Sequence, residues 1–230
     1  MENQLLLTTR PPKFTNLLIT NISVKIPTEG TFSSHKKSIS SHQLARELDI
    51  TQSSAWYLLH RLRCVSNLST FKTMLKGSVE IDEAYLGVWG AVERDSGNMI
   101  AQKVPNTRKR TLEPIIETSI EKGSNVYSDE YPVYNELSKW YNHQIVIHRK
   151  KQYVNGKAST NAIENRWSHF NRIVYGIHHW ISRKHVQRYL DEFVFRNNTR
   201  KFSKEERCDL LLSSTIGKSL TYRELISSFY

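Results

Sequence analysis

The chain has 230 residues, of which 38% are hydrophobic and 24% are charged, and its mean hydropathy is −0.54. This composition is typical of a soluble globular protein with one medium domain, or with a small domain joined to a larger one. No apolar run approaches the roughly 18 residues that span a bilayer, and no secretory signal is recognisable, so we expect no membrane partner. Cys64 and Cys208 match no disulfide or zinc-binding spacing, which favours the reducing cytoplasm.

The net charge of +11 indicates an anionic partner. Much of this charge lies between Arg149 and Lys201, where lysine and arginine outnumber acidic residues by twelve to three. Histidines and the aromatic residues Trp167, Phe170 and Tyr175 are interleaved with these cations. Clustered cations with aromatics are typical of a surface that binds the phosphate backbone of a nucleic acid. Charge alone leaves a solvated basic face open as the alternative.

Two short amphipathic helices are predicted within residues 37–66, after an irregular leader over residues 1–36. Ser41 can cap the first helix, and the second begins near Gln52 or Ser53 after a short break. Their apolar positions share one face of each helix: Leu44, Ala45, Leu48, Ala55, Leu58, Leu59 and Leu62. Two short helices joined by a tight turn predict a DNA-binding helix-turn-helix. An ordinary helical hairpin packed on the main domain is the alternative.

The expected DNA contacts follow from the geometry of a helix-turn-helix, whose second helix enters the major groove at its N-terminal end. The residues expected at that groove-facing end are Gln52, Ser53, Ser54 and Tyr57. The residues expected to meet phosphates at the C-terminal end are Arg61 and Arg63. Further contacts are expected from cations of the later basic region: Lys150, Lys151, Arg166, Arg172 and Lys184.

Residues 77–200 alternate between strand and helix patterns. The predicted order is three antiparallel strands within 79–104, a helix at 110–123, a strand at 125–130, a helix over YPVYNELSKWY, a strand at 144–148, and helices at 161–175 and 184–198. This order is that of an α/β ribonuclease-H-like fold, a mixed sheet flanked by helices, although other α/β folds share it. Residues 201–230 are predicted to form a helical C-terminal tail.

Three carboxylates occupy positions that can converge. Asp82 lies inside the first strand, where aspartate is depleted and needs a partner or a function. Asp129 ends the fourth strand, at the edge where an open α/β sheet binds its ligands. Glu164 begins a later helix in which Ile163, Trp167, Phe170 and Val174 form a buried stripe.

Three converging carboxylates suit two divalent cations about 3.5–4 Å apart, which support phosphodiester chemistry. Oxygen ligands, with no cysteine or histidine at zinc spacing, favour Mg²⁺ or Mn²⁺ over zinc.

Each of the three acids also has a structural interpretation. Asp82 can be a satisfied strand residue, with its neighbour Glu83 as the functional acid. Asp129 can cap the helix that begins at Tyr131. Glu164 can complete a capping box with Asn161, in which Asn161 is the N-cap and Glu164 reaches back to its amide. The local residues leave these interpretations open.

Five segments between Val79 and Arg200 occur in the order typical of one family: VEIDEAYLG, VWGAVER, VYSDEYPVY, TNAIENRWSHFNR and GIHHWISRKHVQRYLDEFVFRNNTR. Together they resemble the motifs of ISXO-like insertion-sequence transposases, relatives of the eukaryotic Merlin elements. The preceding SSHQLARELDITQSSAWYLLHRLR resembles the helix-turn-helix of this family, and LTYRELI its C-terminal end. The resemblance runs from about residue 37 to residue 227.

The resemblance implies a DDE transposase with a ribonuclease-H-like catalytic domain. It assigns the metal-binding acids to Asp82, Asp129 and Glu164, with two Mg²⁺ or Mn²⁺ ions as cofactors. Such enzymes bind double-stranded DNA at the terminal inverted repeats of their element and free a 3′-hydroxyl by hydrolysis. The freed hydroxyl then attacks target DNA. They generally act as homo-oligomers in a synaptic complex, here in the cytoplasm and associated with the nucleoid.

Three features depart from the family pattern. Nothing in residues 1–36 matches the cysteine-rich zinc ribbon that usually precedes the helix-turn-helix. After the IDEAYLG motif, Gly87 runs straight into Val88-Trp89-Gly90, without the usual second glycine and lysine-rich stretch. Asn171, followed by Arg172, stands where many relatives have lysine. These departures leave open a shortened or decayed copy, a DNA-binding regulator with an inert core, or a structure-selective nuclease.

Overall fold

The computed structural model describes residues 38–68, 73–84, 86–146, 159–215 and 218–227. Its α-helices are α1 Ser41–Leu48, α2 Gln52–Val65, α3 Lys109–Ser119, α4 Asn161–Ile173, α5 Val186–Asn198, α6 Lys204–Ser213 and α7 Tyr222–Ile226. Its strands are β1 Ser78–Ala84, β2 Val88–Glu93, β3 Met99–Lys103, β4 Asn125–Ser128 and β5 Asn142–Ile145. A 3-10 helix covers Pro132–Lys139, and a π-helical turn covers Val174–His178. No helix in these ranges is long and apolar enough to cross a membrane.

The chain divides into two compact units. One unit combines the residues up to Ser66 with those from Phe202 onward, and the other spans Asn67–Lys201. The first unit contains the two predicted helix-turn-helix segments and helices α6 and α7, whereas the second contains the sheet. The predicted leader over residues 1–36 lies outside the described residues.

Helices α1 and α2 have side-chain caps at their N-termini. Ser40 accepts a hydrogen bond from the Gln43 amide at 3.1 Å and is the N-cap of α1. The prediction of Ser41 as the cap is therefore wrong by one residue, because Ser41 is already helical. Thr51 caps α2 by accepting from the Ser54 amide at 3.2 Å. The predicted apolar faces are buried at Leu44, Ala45, Leu48, Ala55, Leu58 and Leu59, and Leu62 is half-buried.

The second unit is built on a five-stranded sheet with strand order β3-β2-β1-β4-β5. Strand β1 pairs antiparallel with β2, and β2 pairs antiparallel with β3. Strands β4 and β5 continue the sheet in parallel from β1. The mixed sheet, flanked by helices and preceded by the helices of the first unit, confirms the predicted α/β ribonuclease-H-like fold. Strand β1 lies at its centre.

Two apolar clusters cover the opposite faces of this sheet. On one face, α4 packs through Ile163, Trp167 and Phe170 of the predicted stripe, with Val174 in the following π-helical turn, and α5 adds Leu190 and Phe193. On the other face, α3 and the 3-10 helix pack against the buried side chains of β1, including Ile81. A sheet buried on both faces provides a rigid support for side chains at its strand ends.

Helix α4 approaches the sheet where β2 carries Gly90. A Cβ added to Gly90 would lie 2.5 Å from Cζ2 of Trp167, so only glycine accommodates the indole at this distance. Gly90 is the direct antiparallel partner of Asp82. Because directly opposed residues point to the same face of a sheet, the Asp82 side chain lies on the α4 face.

Several predicted elements differ in their bounds. Helix α3 ends at Ser119 and β4 at Ser128, before the predicted residues 123 and 130. Strand β5 begins at Asn142 rather than at residue 144, and residues 147–148 of the predicted strand lie outside the described residues. The helix predicted over YPVYNELSKWY is of the 3-10 type, and α4 ends at Ile173 before the π-helical turn. Strand and helix ends depend on pairing partners that the sequence pattern does not contain.

Candidate active site

The predicted acids come from three elements that meet around the centre of the sheet. Asp82 is in β1, Asp129 directly follows β4, and Glu164 is in the first turns of α4. Strands β1 and β4 are parallel neighbours, so their C-terminal ends lie at the same edge of the sheet. Helix α4 covers the face on which Asp82 points.

The Asp82 carboxyl group is in an environment that opposes its ionisation. Its Oδ1 accepts a hydrogen bond from the Glu83 amide at 2.8 Å. Burial raises the pKa of Asp82 to about 7, and the negative charges of Asp129, Glu83 and Glu164 contribute to the rise. The electrostatic coupling links Asp82 to both of the other predicted ligands.

Glu83, the alternative acid on β1, is held on the opposite face of the strand. The Tyr134 hydroxyl donates a hydrogen bond to Glu83 Oε1 at 2.6 Å. Burial raises the pKa of Glu83, and it also raises the pKa of the fully buried Tyr134. The Glu83 carboxylate is thus bound to Tyr134 of the 3-10 helix, on the face away from α4. Asp82 rather than Glu83 is the acid of β1 that faces α4.

Asp129 closes a local turn immediately after β4. Its Oδ1 accepts a hydrogen bond from the Tyr131 amide at 3.1 Å. The 3-10 helix begins at Pro132, and Tyr131 is its N-cap residue. Asp129 therefore bonds the backbone just ahead of the helix but is not its cap, so the alternative in which Asp129 caps a helix beginning at Tyr131 is wrong. The bond also holds the carboxylate at the C-terminal end of β4.

The capping box predicted as the alternative for Glu164 is wrong. The N-cap of α4 is Thr160 rather than Asn161, and Thr160 makes no side-chain capping bond. The Thr160 hydroxyl instead donates to Glu164 Oε1 at 2.6 Å. The amides of the first turn are bound by another residue, Glu80 of β1, whose Oε2 accepts from Ala162 at 2.7 Å and from Ile163 at 3.1 Å. Glu164 is therefore not the group that caps this helix.

Glu192 is the acid that would replace Glu164 if α5 faced the site. It is buried and accepts a hydrogen bond from Arg196 Nε at 2.9 Å within the same helix. This ion pair provides a structural explanation for Glu192, which leaves Glu164 as the acid coupled to Asp82.

The donor set fits Mg²⁺ or Mn²⁺ in its chemistry. Asp82, Asp129 and Glu164 offer only carboxylate oxygens, the ligands that these hard cations prefer. The like charges that raise the pKa of Asp82 are a concentration of negative charge that a cation would neutralise. Among the described residues, no three or more histidine, cysteine, aspartate or glutamate side chains, these three acids included, are placed so that they could hold a metal ion.

The predicted groove-facing residues of α2 differ in their exposure and in their protein partners. Gln52, Ser53 and Ser54 are exposed, and Gln52 Nε2 donates to the Ser41 hydroxyl at 2.8 Å. Tyr57 instead turns toward the C-terminal segment of the same unit, where its hydroxyl donates to the Leu220 carbonyl at 2.7 Å. The exposed residues are available for a DNA contact, whereas the Tyr57 hydroxyl already has a protein partner.

The predicted phosphate-binding cations fall into three groups. Arg172 and Lys184 are exposed. Arg61 and Arg63 are buried, so a phosphate contact by either would first require its exposure. Lys150 and Lys151 lie outside the described residues.

Arg166 is half-buried beside Gly97, in the turn between β2 and β3. Burial lowers the pKa of its guanidinium, and the neighbouring charge of Arg200 lowers it further. Two arginines held this close favour a nearby anion, and we retain Arg166 as a predicted DNA contact.

Sequence reasoning missed Glu80 and Arg94 as residues of the site. Alternation had placed Glu80 on the same face as Asp82, and a second acid on the buried face of a central strand is a signal that a partner must exist. That partner is Arg94, whose Nε donates to Glu80 Oε1 at 2.7 Å. The pairing between them depends on the β1–β2 register, which the sequence pattern alone does not specify.

Comparison with known proteins identifies one family. Residues 87–198 match the ISXO2-like transposase domain. The matched range contains Asp129 and Glu164 but begins five residues after Asp82, and it does not include the helix-turn-helix segment. No curated protein matches the chain. The family agrees with the sheet topology described above, and residues 87–198 of the chain therefore form an ISXO-like transposase domain.

Proposed function

We propose that this protein is a DDE transposase of an insertion sequence, which cleaves phosphodiester bonds at the ends of its element and transfers the freed 3′-hydroxyl to target DNA. The observation that carries the proposal is the coupling of Asp82 to Asp129 and Glu164 within a chain that matches a transposase domain. The proposed substrate is double-stranded DNA, at the terminal inverted repeats and at the target. The proposed active form is a homo-oligomer that synapses two ends.

The three acids are the proposed ligands of two Mg²⁺ or Mn²⁺ ions. When bound, the ions supply activation of the attacking oxygen and stabilisation of the leaving oxygen at phosphorus. Asp82 and Asp129 approach from neighbouring strand ends, and Glu164 approaches from the helix above them. The Thr160 hydroxyl orients Glu164 through its hydrogen bond, and Tyr134 keeps Glu83 on the opposite face.

The basic residues are proposed to hold the DNA beside these acids. Arg172 is two turns after Glu164 on α4, and Lys184 precedes α5 in the same unit. Their exposed positive charges attract the phosphates of the DNA. The carboxylates of the site alone would repel these phosphates at short range. The exposed start of α2, at Gln52, Ser53 and Ser54, is proposed to read the inverted repeats.

The test is cleavage of a duplex that carries the inverted repeats flanking the reading frame, with Mn²⁺ as the cofactor. We expect the wild type to nick this DNA, and Asp82→Asn, Asp129→Asn and Glu164→Gln each to lose at least ~100-fold in rate, the upper end of what removal of an outer-shell partner costs. The control is Glu136→Gln, an exposed acid paired with Lys109 and Lys139, which should retain the wild-type rate.

Two results would contradict the proposal. A wild-type protein that binds the repeat DNA but neither nicks nor joins it, with binding unchanged in Asp82→Ala, would indicate a DNA-binding regulator. A wild-type protein that nicks branched DNA in preference to the repeats, without joining ends, would indicate a structure-selective nuclease.

A further inference from the structure

Four donor groups bind the Glu80 carboxylate. Its side chain is 2% exposed in the middle of β1. Oε1 accepts from Arg94 Nε at 2.7 Å and from the Ser159 hydroxyl at 3.3 Å. Oε2 accepts from the backbone amides of Ala162 at 2.7 Å and Ile163 at 3.1 Å. One carboxylate therefore joins β1, β2 and the start of α4.

The bonds to Ala162 and Ile163 are those that an N-cap side chain normally makes. The first amides of a helix have no partner within the helix, and an N-cap oxygen usually accepts from the second or third of them. With Thr160 as the N-cap, Ala162 and Ile163 are these second and third residues. The Thr160 side chain makes no capping bond to them, and its hydroxyl donates to Glu164. Helix α4 is thus capped by a strand residue 82 positions earlier in the chain.

A cap supplied by another element also positions the helix. Glu80 and Asp82 are two residues apart on β1, which places their Cα atoms about 6.5–7 Å apart on the same face. The amides that Glu80 binds belong to the two residues immediately before Glu164. The same short stretch of β1 therefore carries the first predicted ligand and holds the backbone next to the third.

Arg94 extends this connection to the third element of the site. Its Nη2 donates to the Ser159 carbonyl at 2.8 Å and to the Ser159 hydroxyl at 3.0 Å, on the segment that leads into α4. Its guanidinium also lies over the ring of Tyr127, 3.9 Å from the centroid. Tyr127 is in β4, two residues before Asp129. The ion pair between the buried Glu80 and the half-buried Arg94 thus contacts the segments that carry all three acids.

We propose that Glu80, through its ion pair with Arg94, is a positioning residue that sets the register of Glu164 against Asp82. The effect of this role on the metal ions rests on the proposed function. The capping of α4 does not, because the hydrogen bonds themselves show it. The negative charge of Glu80 matters because one oxygen pairs with the positive charge of Arg94. The other oxygen lies at the positive end of the helix dipole.

The experiment compares Glu80→Ala and Glu80→Gln with Glu192→Ala in the full chain. Glu192 is a matched control, since it is equally buried and also paired with an arginine Nε, but it lies within α5. Two quantities are measured: amide hydrogen exchange at Ala162, Ile163 and Glu164, and Mn²⁺ binding followed by electron paramagnetic resonance. Glu80→Gln is included because Glu80→Ala removes this acceptor from the half-buried Arg94 and can prevent folding.

We expect both Glu80 variants to lose protection at the start of α4 and to bind Mn²⁺ at least ~10-fold more weakly, as loss of an outer-shell partner does. The loss should be smaller in Glu80→Gln, which keeps an oxygen for the amides. Glu192→Ala should keep the protection at α4 and the affinity for Mn²⁺. Unchanged Mn²⁺ affinity in a folded Glu80 variant, or an equal loss in Glu192→Ala, would overturn the positioning role.

The same measurements separate this inference from the proposed function. If Asp82→Ala binds Mn²⁺ as the wild type does, or if the wild type binds none, the proposed metal site fails. The exchange data then decide the role of Glu80 alone: lost protection at Ala162 and Ile163 in Glu80→Gln supports it, and unchanged protection overturns it.

Discussion

At the scale of single residues, the site is defined by how each acid is satisfied. Glu80 is bound by an arginine and two helix amides, Glu83 by a tyrosine hydroxyl, and Glu192 by an arginine in its own helix. Asp82 accepts one backbone bond, and its pKa is raised by burial and by its acidic neighbours. An acid that folding makes harder to ionise costs stability at neutral pH, and we propose that Asp82 is retained for chemistry rather than for folding.

The raised pKa of Asp82 predicts a stability effect that depends on pH. The pKa is 3.8 for a free side chain and about 7 in the folded protein, so the folded state binds more protons between these values. The stability contribution of this group is fully present below about pH 4 and is lost as the pH rises through about 7. Asp82→Asn carries no charge, and in metal-free buffer it should melt about 2–4 °C above the wild type at pH 8.

Thermal denaturation at pH 5 and pH 8 with a chelator present measures this difference. The advantage of Asp82→Asn should shrink at pH 5, where the folded wild type is already protonated at Asp82. Glu136→Gln serves as the comparison, because hydrogen bonds from Lys109 and Lys139 lower the pKa of Glu136 instead of raising it. An equal or lower melting temperature for Asp82→Asn at pH 8 would show that ionisation of Asp82 does not destabilise the folded protein.

At the scale of elements, helix α4 is positioned on the sheet by contacts at two points along its length. Its N-terminus is bound by Glu80, and its middle packs Trp167 against Gly90 of β2. Trp167 is three residues after Glu164, so the indole and the carboxylate lie on neighbouring turns of the same helix face. Because Gly90 pairs with Asp82, this close packing fixes the separation of α4 from the strand that carries the first acid.

Gly90→Ala tests this packing. The added Cβ would overlap the Trp167 ring, so we expect the variant to lose about 1–3 kcal/mol of unfolding free energy, the usual cost of overpacking. Gly176→Ala is the control, since a Cβ at Gly176 meets nothing within 4 Å. Urea denaturation of the two full-length variants gives the comparison.

A second substitution makes the packing test specific to α4. Trp167→Phe should recover part of the stability in the Gly90→Ala background, because the smaller ring leaves room for the methyl group. If Gly90→Ala proves as stable as Gly176→Ala, or if Trp167→Phe only adds to the loss, the close approach of α4 to β2 is not what constrains position 90.

At the scale of the whole molecule, charge and sheet topology act together. The chain carries a net charge of +11, yet the residues coupled around Asp82 are acidic. A cationic protein with a local acidic centre can hold a polyanion at its surface while keeping cations at the point of reaction. The unit that spans Asn67–Lys201 contains the sheet, the three acids and the exposed residues Arg172 and Lys184.

The exposed cations predict a salt-dependent contribution to DNA binding. Arg172→Gln and Lys184→Gln should each weaken binding to inverted-repeat and unrelated duplexes alike and lower the slope of log affinity against log salt by about 1, as expected for one phosphate contact. Lys139→Gln is the matched control, because Lys139 is exposed but forms an ion pair with Glu136. Fluorescence anisotropy at several salt concentrations measures the slopes. A loss confined to the inverted repeat would instead indicate base contacts.

The amino-acid sequence by itself determined the element order, the ribonuclease-H-like class and the family. Apolar periodicity records which face of a helix or strand is buried, and the motifs record residue types at fixed spacing, so both are readable without coordinates. Asp82, Asp129 and Glu164 were predicted as metal ligands from these local signals together with the family resemblance.

Only the tertiary structure decided which partners each acid has, because those partners are distant in sequence. The bond from Ser40 moved the cap of α1 by one residue, and the bonds from Glu80 replaced the capping box predicted at Asn161 and Glu164. Burial of Arg61 and Arg63, and the Tyr57 bond to Leu220, likewise depend on packing between separate segments. Side-chain partnership across 82 residues is a property of the fold, since it follows from strand register and helix placement rather than from local pattern.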